Sequence, residues 1–276
     1  LAGELIIAGH QLDDLISSGD FEDVVGLLLD KLVDAPENMH EAMGQARRIV
    51  FECLSPVLPH LAHLPLFDGM RTALAALPDG HDIASAVHLI AAPGTALALL
   101  IAQKFGRDPL SPDRSLRHAE DLLRMAGLPT DENAVRGLNT YLITVIDHGL
   151  NASTFTSRVV ASTGAGLTSS VTSALGALKG PLHGGAPGPV LDMLDAIAMP
   201  GNARPWLEYE LRRGRRIMGF GHRIYRVRDP RADALKGALD GLRSDRPQLA
   251  AQVERAALAA LAKHRPQRKL ETNVEF

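Results

Sequence analysis

Three histidines fall in surroundings that core packing does not explain. His222 closes the run Ile217-Met218-Gly219-Phe220-Gly221-His222, and Arg223, Arg226, Arg228 and Arg231 follow it within nine residues. His183 lies in Gly180-Pro181-Leu182-His183-Gly184-Gly185-Ala186-Pro187-Gly188-Pro189, which holds four glycines and three prolines in ten residues. His148 ends an apolar stripe at Asp147-His148. Glycine lets backbone come close to a ligand because it has no Cβ, and clustered arginines are hard to bury without anionic partners. Nothing between residues 217 and 231 therefore reads as core. The stretch reads as a site for an organic polyanion, with His222 facing the reacting group. A neutral imidazole can donate to a developing oxyanion, and a guanidinium can clamp a carboxylate with two parallel hydrogen bonds. Together they suit chemistry on a carbonyl compound that also carries carboxylates.

From residue 204 to 231 nine arginines stand against Glu208, Glu210 and Asp229, a local excess of six positive charges in a chain of net charge −3. A solvated helix face and a nucleic-acid surface are the competing readings of such a run. A basic island in a mildly acidic chain with 4% aromatic residues suits a small anion better than a polymer, which needs a broad basic face. No nucleic-acid partner is expected. Other chemistries fail on spacing. Ile224 stands where a dinucleotide fingerprint needs its third glycine, and Gly44 stands where the His40-Glu41 start of a zinc-protease motif needs its second histidine. His60 and His63 are read as surface or core-edge residues, and no metal is expected. The His-Gly-Gly run has no Gly-x-Ser-x-Gly elbow to serve as an oxyanion loop.

Positioning these residues falls to helices. With 46% hydrophobic residues in 276, the chain can build one large core or two unequal ones. Asp20 and Asp23 can cap a helix carrying Phe21, Val24, Val25 and Leu28, and a second helix is expected from about residue 37 to Leu54, ended by Ser55-Pro56. Residues 83–102 are the most apolar stretch. Ser85, His88 and Pro93-Gly94-Thr95 interrupt it, which predicts a buried helix pair and not a membrane span. Small residues from 152 to 179 predict helices at the centre of a tightly packed bundle. No period-two alternation is sustained, so the fold class is all-α. The glycine–proline segment around His183 marks a domain boundary, giving a large domain over 1–183 and a small one over 184–276. The single Cys53 and the absence of a basic n-region after Leu1 predict a reducing, cytoplasmic setting without a signal peptide.

The signature stretches recur in a known order. Gly3-Glu4-Leu5-Ile6-Ile7-Ala8-Gly9, Asp147-His148-Gly149-Leu150-Asn151-Ala152-Ser153-Thr154, the His183 segment, Gly219-Phe220-Gly221-His222-Arg223-Ile224-Tyr225 with Asp229-Pro230-Arg231, and Thr272-Asn273-Val274-Glu275-Phe276 resemble the citrate synthase family over nearly the whole chain. The resemblance implies a helical bundle with a large domain and a smaller inserted one, a homodimer, and a site in the cleft between domains. It implies condensation of acetyl-CoA with oxaloacetate in the tricarboxylic acid cycle, with acyl-CoA as a co-substrate and no permanently bound cofactor. The alternatives are 2-methylcitrate synthase, using propionyl-CoA, and a relative that binds CoA or dicarboxylates without turnover.

Carried over by residue, the resemblance makes His183 the donor to the thioester oxygen, Glu275 the base that removes the methyl proton, and His222 the group polarising the ketone. His148 and Arg231 would bind oxaloacetate and Ser153 would orient His183. Arg226, with Arg268 or Lys269, would meet the CoA phosphates, and the backbone of Ile217, Met218, Gly219, Phe220 and Gly221 would sit against its adenine. Glu275 stands where much of the family has aspartate, and its extra methylene moves the carboxylate by about 1.5 Å. Val145 and Ala8 replace a frequent histidine and a frequent arginine. In the family the pattern runs on past this segment and supplies two more arginines for substrate carboxylates, one from the partner subunit.

Overall fold

The computed structural model describes residues 4–147, 149–181, 183–185, 187–221, 229–242, 244–267, 270–273 and 276. Among these the regular structure is almost wholly helical, and the chain divides into two compact units, Ile7–Lys179, and Gly180–Phe276 with Leu1–Ile6. The division falls at Gly180, where the glycine–proline segment begins. A two-residue hairpin, Ile6–Ile7 with His10–Gln11, opens the chain, and Ala8 at φ 52° and Gly9 at φ 93° make its turn.

The Ile7–Lys179 unit contains α1 (Leu12–Ser18), α2 (Phe21–Asp30), α3 (Met39–Leu54), α4 (Leu66–Leu74), α5 (Ile83–Lys104), α6 (His118–Met125), α7 (Glu132–Thr144), α8 (Ala152–Ala161) and α9 (Leu167–Leu178). Short polar side chains start several of them. Asp23 accepts from the Asp20 N–H at 2.8 Å, Asn38 from Glu41 at 3.1 Å, and Asp82 from Ser85 at 2.8 Å. Each such cap is worth about 1 kcal/mol. Asp79, from the loop before α5, caps α9 through Thr168 N–H at 2.9 Å and the Ser169 hydroxyl at 2.5 Å. The Ser169 hydrogen bond is the main cause that holds the Asp79 carboxyl below its ordinary range.

Helix α5 is the centre of this unit, packed by α3, α4, α6 and α9. It buries Leu89, Ala92, Ala96, Leu99 and Leu100 against Val50, Leu54, Met70, Leu74 and Met125. The break expected at Pro93-Gly94 does not occur, because α5 runs through both residues as one helix. Pro93 forfeits one ladder hydrogen bond, but Gly94 is where α6 makes contact. A Cβ on Gly94 would lie 2.5 Å from Leu122 Cδ1, so packing on that side favours a continuous rod. By length and composition alone α5 could cross a membrane, yet half of its most apolar window is buried inside the unit. The small residues of α8 and α9 do bring these helices together. The expected bundle centre is met only by α9, which packs on α4 and α5 with Leu175 buried in the core; α8 has no buried residue, and Phe155 and Val159 are exposed.

The second unit holds α10 (Pro187–Ile197), α11 (Pro200–Arg212), α12 (Pro230–Ala238) and α13 (Arg246–His264). Its core joins Val190, Met193 and Ile197 of α10, Leu207 of α11, and Val253, Ala257 and Leu261 of α13. Ile217 and Phe220 complete it.

A buried polar network in the first unit had no sequence motif to announce it. Arg47 is fully buried on α3. Its Nε donates to Asp121 Oδ2 at 2.8 Å, and its Nη2 donates to the carbonyls of Leu116 at 2.7 Å and Asp113 at 3.1 Å. Gly44 permits this, since a Cβ there would lie 2.5 Å from the Arg114 carbonyl oxygen. Breaking a buried pair from one side costs about 3–5 kcal/mol. His118 sits beside Arg47, stacked on Phe21 with ring centroids 5.3 Å apart, and its backbone N–H donates to Glu22 at 2.6 Å. Burial, helped by the Arg47 charge, lowers the imidazole pKa to about 3. The unfolded chain takes up that proton near 6.5, so between about 6.5 and about 3 the unfolded state binds more protons. Stability therefore falls as pH falls through this window, by at most about 1.4 kcal/mol per unit from this group. Urea titrations from pH 7 to 4 should show a shallower acid loss in His118→Gln than in the parent. Superimposable profiles would contradict the assignment.

Candidate active site

The second unit clasps two signature segments together. Phe220 and Thr272 form an antiparallel bridge. On one side the Gly221 N–H donates to the Glu271 carbonyl at 2.7 Å, and on the other the Asn273 N–H donates to the Gly219 carbonyl at 3.1 Å. The Asn273 side chain adds a third bond, Nδ2 to the Gly221 carbonyl at 2.8 Å. Both glycines adopt φ +84°, which an L side chain enters only at a cost of about 1–2 kcal/mol. A Cβ on Gly219 would also lie 2.9 Å from Phe276 Cβ. The close approach read from these glycines is thus made, at Gly219, by Phe276. The Phe276 ring lies 5.2 Å from that of Phe220, tilted by 54°.

This corrects the reading that nothing between residues 217 and 231 is core. Ile217 and Phe220 are 4% exposed, Arg231 is 6% exposed and Asp229 is fully buried. Arg231 is tolerated because Asp229 takes its Nε at 3.0 Å and its Nη2 at 2.8 Å, a two-point pair at the start of α12. Asp229 also accepts the Arg231 N–H at 3.1 Å, capping the helix. The basic island is partly neutralised in the same way: Arg204 pairs with Glu208 at 3.2 Å and Arg215 with Glu210 at 3.0 Å, while Arg213 stacks over Tyr209 at 5.3 Å. For those exposed arginines the solvated-face reading holds.

His183 belongs to the same unit as the clasp and is half-buried. Its N–H donates to the Gly180 carbonyl at 2.9 Å, and Gly185 N–H reaches the same oxygen at 3.2 Å, so two bonds fold the segment back on itself. Ser153 belongs to the other unit, at the start of α8, where its hydroxyl donates to Asn151 Oδ1 at 2.8 Å. Met218 packs on the small-unit core beside Ile217. His148, His222, Arg226, Arg268, Lys269 and Glu275 lie outside the described residues. What is described is the pair of segments that carry His222 and Glu275 in sequence.

Sequence reasoning gave no role to Asp229, Asn273, Thr272, Glu254 or Lys236. Glu254 had a signal. It falls on the same stripe as Ala250, Val253, Ala257 and Leu261, where α13 is otherwise apolar, and a carboxylate on a buried stripe needs partners. Among the described residues no group of three or more His, Cys, Asp or Glu could hold a metal ion.

The described helices, with Gly219–Gly221 clasped to Glu271–Asn273, form an all-α fold, and its relatives define the class as an acyltransferase. The chain belongs to the citrate synthase family: the model of the citrate synthase C-terminal domain matches residues 1–276. The citrate synthase of Acidithiobacillus ferridurans is 33% identical over 100% of this chain and 77% of its own length. The 2-methylcitrate synthase of Mycobacterium tuberculosis is 37% identical over 86% of this chain and 63% of its own. Among solved structures, citrate synthase from Thermoplasma acidophilum, in a ternary complex with carboxymethyl coenzyme A and oxaloacetate, superposes with a TM-score of 0.84 at 26% identity. That likeness covers 99% of this chain and 76% of the other.

Proposed function

We propose that this protein condenses acetyl-CoA with oxaloacetate and hydrolyses the resulting thioester to citrate and CoA. The observation that carries the reading is the clasp, which pairs the segment preceding His222 with the segment containing Glu275. In the proposed reaction Glu275 removes a methyl proton from acetyl-CoA while His183 donates a hydrogen bond to the thioester oxygen. A base and a donor acting on opposite sides of one carbon divide the work of enolisation. The enol carbon attacks the ketone of oxaloacetate, which His222 polarises, and His222 helps protonate the alkoxide that forms. His148 and Arg231 bind oxaloacetate, with Asp229 fixing the plane of the Arg231 guanidinium. Ser153 orients His183. Arg226, with Arg268 or Lys269, meets the CoA phosphates, and residues 217–221 support the adenine. Water then cleaves the citryl thioester and releases the thiol.

Likeness to a 2-methylcitrate synthase supports a second reading, with propionyl-CoA as donor. One methylene in a pocket shifts preference by only ~1–3 kcal/mol, so both donors should turn over. Free thiol should appear when protein, oxaloacetate and acetyl-CoA are mixed, and His222→Ala should abolish it while leaving the circular dichroism spectrum intact. A higher kcat/KM for propionyl-CoA would assign the second reading; no thiol from either donor would overturn both.

The family likeness also supports a homodimer. Exposed Leu150, Phe155 and Val159, at 68%, 62% and 50%, give the α8 region an apolar face for a second copy. Sedimentation should find a dimer that Phe155→Glu shifts toward monomer. A monomeric parent would contradict this assembly.

A further inference from the structure

Glu254 has no place in the chemistry just described, yet it joins three parts of the second unit. It lies on α13, 7% exposed, among apolar neighbours. Its Oε1 accepts hydrogen bonds from Lys236 Nζ on α12 and from Thr272 Oγ1 in the clasp. Lys236 stands five positions after Arg231 on the same helix, and Thr272 stands three before Glu275. One buried carboxylate thus ties the helix that starts with the oxaloacetate arginine to the segment that carries the base.

We infer that Glu254 is a positioning residue: through Thr272 it sets the register of the clasp, and through Lys236 it refers that register to α12. This rests on the condensation reading above. An apolar side chain would fill the stripe on α13 as well, since replacing a buried ionic cluster by hydrophobic residues is often neutral for stability. A hydrogen bond differs in having direction. It holds the Thr272 side chain on the α13 side of the paired segment, directly across from Phe220 on the same face. Because side chains alternate along an extended segment, a slip of one residue would exchange the two faces. It would turn the Asn273 amide from the Gly221 carbonyl and re-aim everything that follows, including Glu275. Condensation is sensitive to such a change, because a misplacement of about 1 Å can cost on the order of 10²-fold in rate.

The test compares Thr272→Val, which removes the hydroxyl at constant shape, with Thr272→Ser, which keeps it, and with Glu254→Gln. Thr272→Val should lower kcat for condensation ~10–100-fold, lower methyl-proton exchange of acetyl-CoA in heavy water in parallel, and leave the KM for oxaloacetate little changed. Thr272→Ser should recover most of that loss. Glu254→Gln, which keeps an acceptor for Thr272 but loses the charge facing Lys236, should fall between them and serves if Thr272→Val does not fold. A lower melting temperature with kcat per folded molecule unchanged, or no recovery in Thr272→Ser, would overturn the proposal. If the parent shows no turnover, the condensation reading fails on its own, and amide exchange then decides. Faster exchange at Gly221 and Asn273 in Thr272→Val than in Thr272→Ser supports the register role, and equal exchange overturns it.

Discussion

The arrangement depends on a short antiparallel pairing between two stretches of chain that are distant in sequence. Backbone bonds at Gly221–Glu271 and Asn273–Gly219, closed by the Asn273 amide on the Gly221 carbonyl, fix one signature segment against the other. Three hydrogen bonds contribute only about 0.5–1.5 kcal/mol each. Their effect on function exceeds their energy because they select one register. The bulk of the holding force comes from Phe220, Ile217 and Phe276, whose rings and methyls join the α10–α11–α13 core. Apolar burial places the segments near one another; the polar bonds decide how they align.

The helices were legible because their punctuation is local. Asp20 was read as a short acceptor ahead of an apolar period and starts a helix; Asn38 and Asp82, which the sequence reading did not single out, do the same for α3 and α5. Pro93 misled because its cost is local while the compensation is not. Nothing in the sequence says that α6 will press on Gly94. The glycine–proline segment was legible only in its first half: Gly180–Gly185 includes turns, as its composition suggests, whereas Pro187-Gly188-Pro189 form the first turn of α10. Arginine density drew attention to residues 217–231, but it did not reveal the environment of those that are described, 217–221 and 229–231. Asp229 converts Arg231 from an exposed cation into half of a buried pair, and that depends on a contact geometry that charge counting does not contain. Asn273 and Glu254 carry signals only in context: one is an amide beside a signature carboxylate, the other an acid on an apolar stripe.

The two units solve the problem of buried charge alike. In the first, Arg47 is surrounded by the Asp121 carboxylate and two carbonyls, so α3, α6 and the loop between α5 and α6 are held at one point. In the second, Glu254 gathers Lys236 and Thr272, while Asp229 gathers Arg231. Such groups add little net stability over well-packed hydrocarbon, but a single lost partner is expensive. That asymmetry makes them guides to geometry, and both clusters in the second unit bear on the segments proposed above to carry the chemistry.

The pairing itself is open to a direct measurement. Phe220 and Thr272 face each other without exchanging backbone bonds with one another, the closer kind of antiparallel pair, with Cα atoms about 4.5 Å apart and thus within disulfide reach. In a Cys53→Ser background, Phe220→Cys combined with Thr272→Cys should close an intramolecular disulfide on mild oxidation of the folded protein. The mass of the linked peptides after proteolysis would establish it. Two thiols that stay titratable in the native state, or links formed only between molecules, would contradict the account.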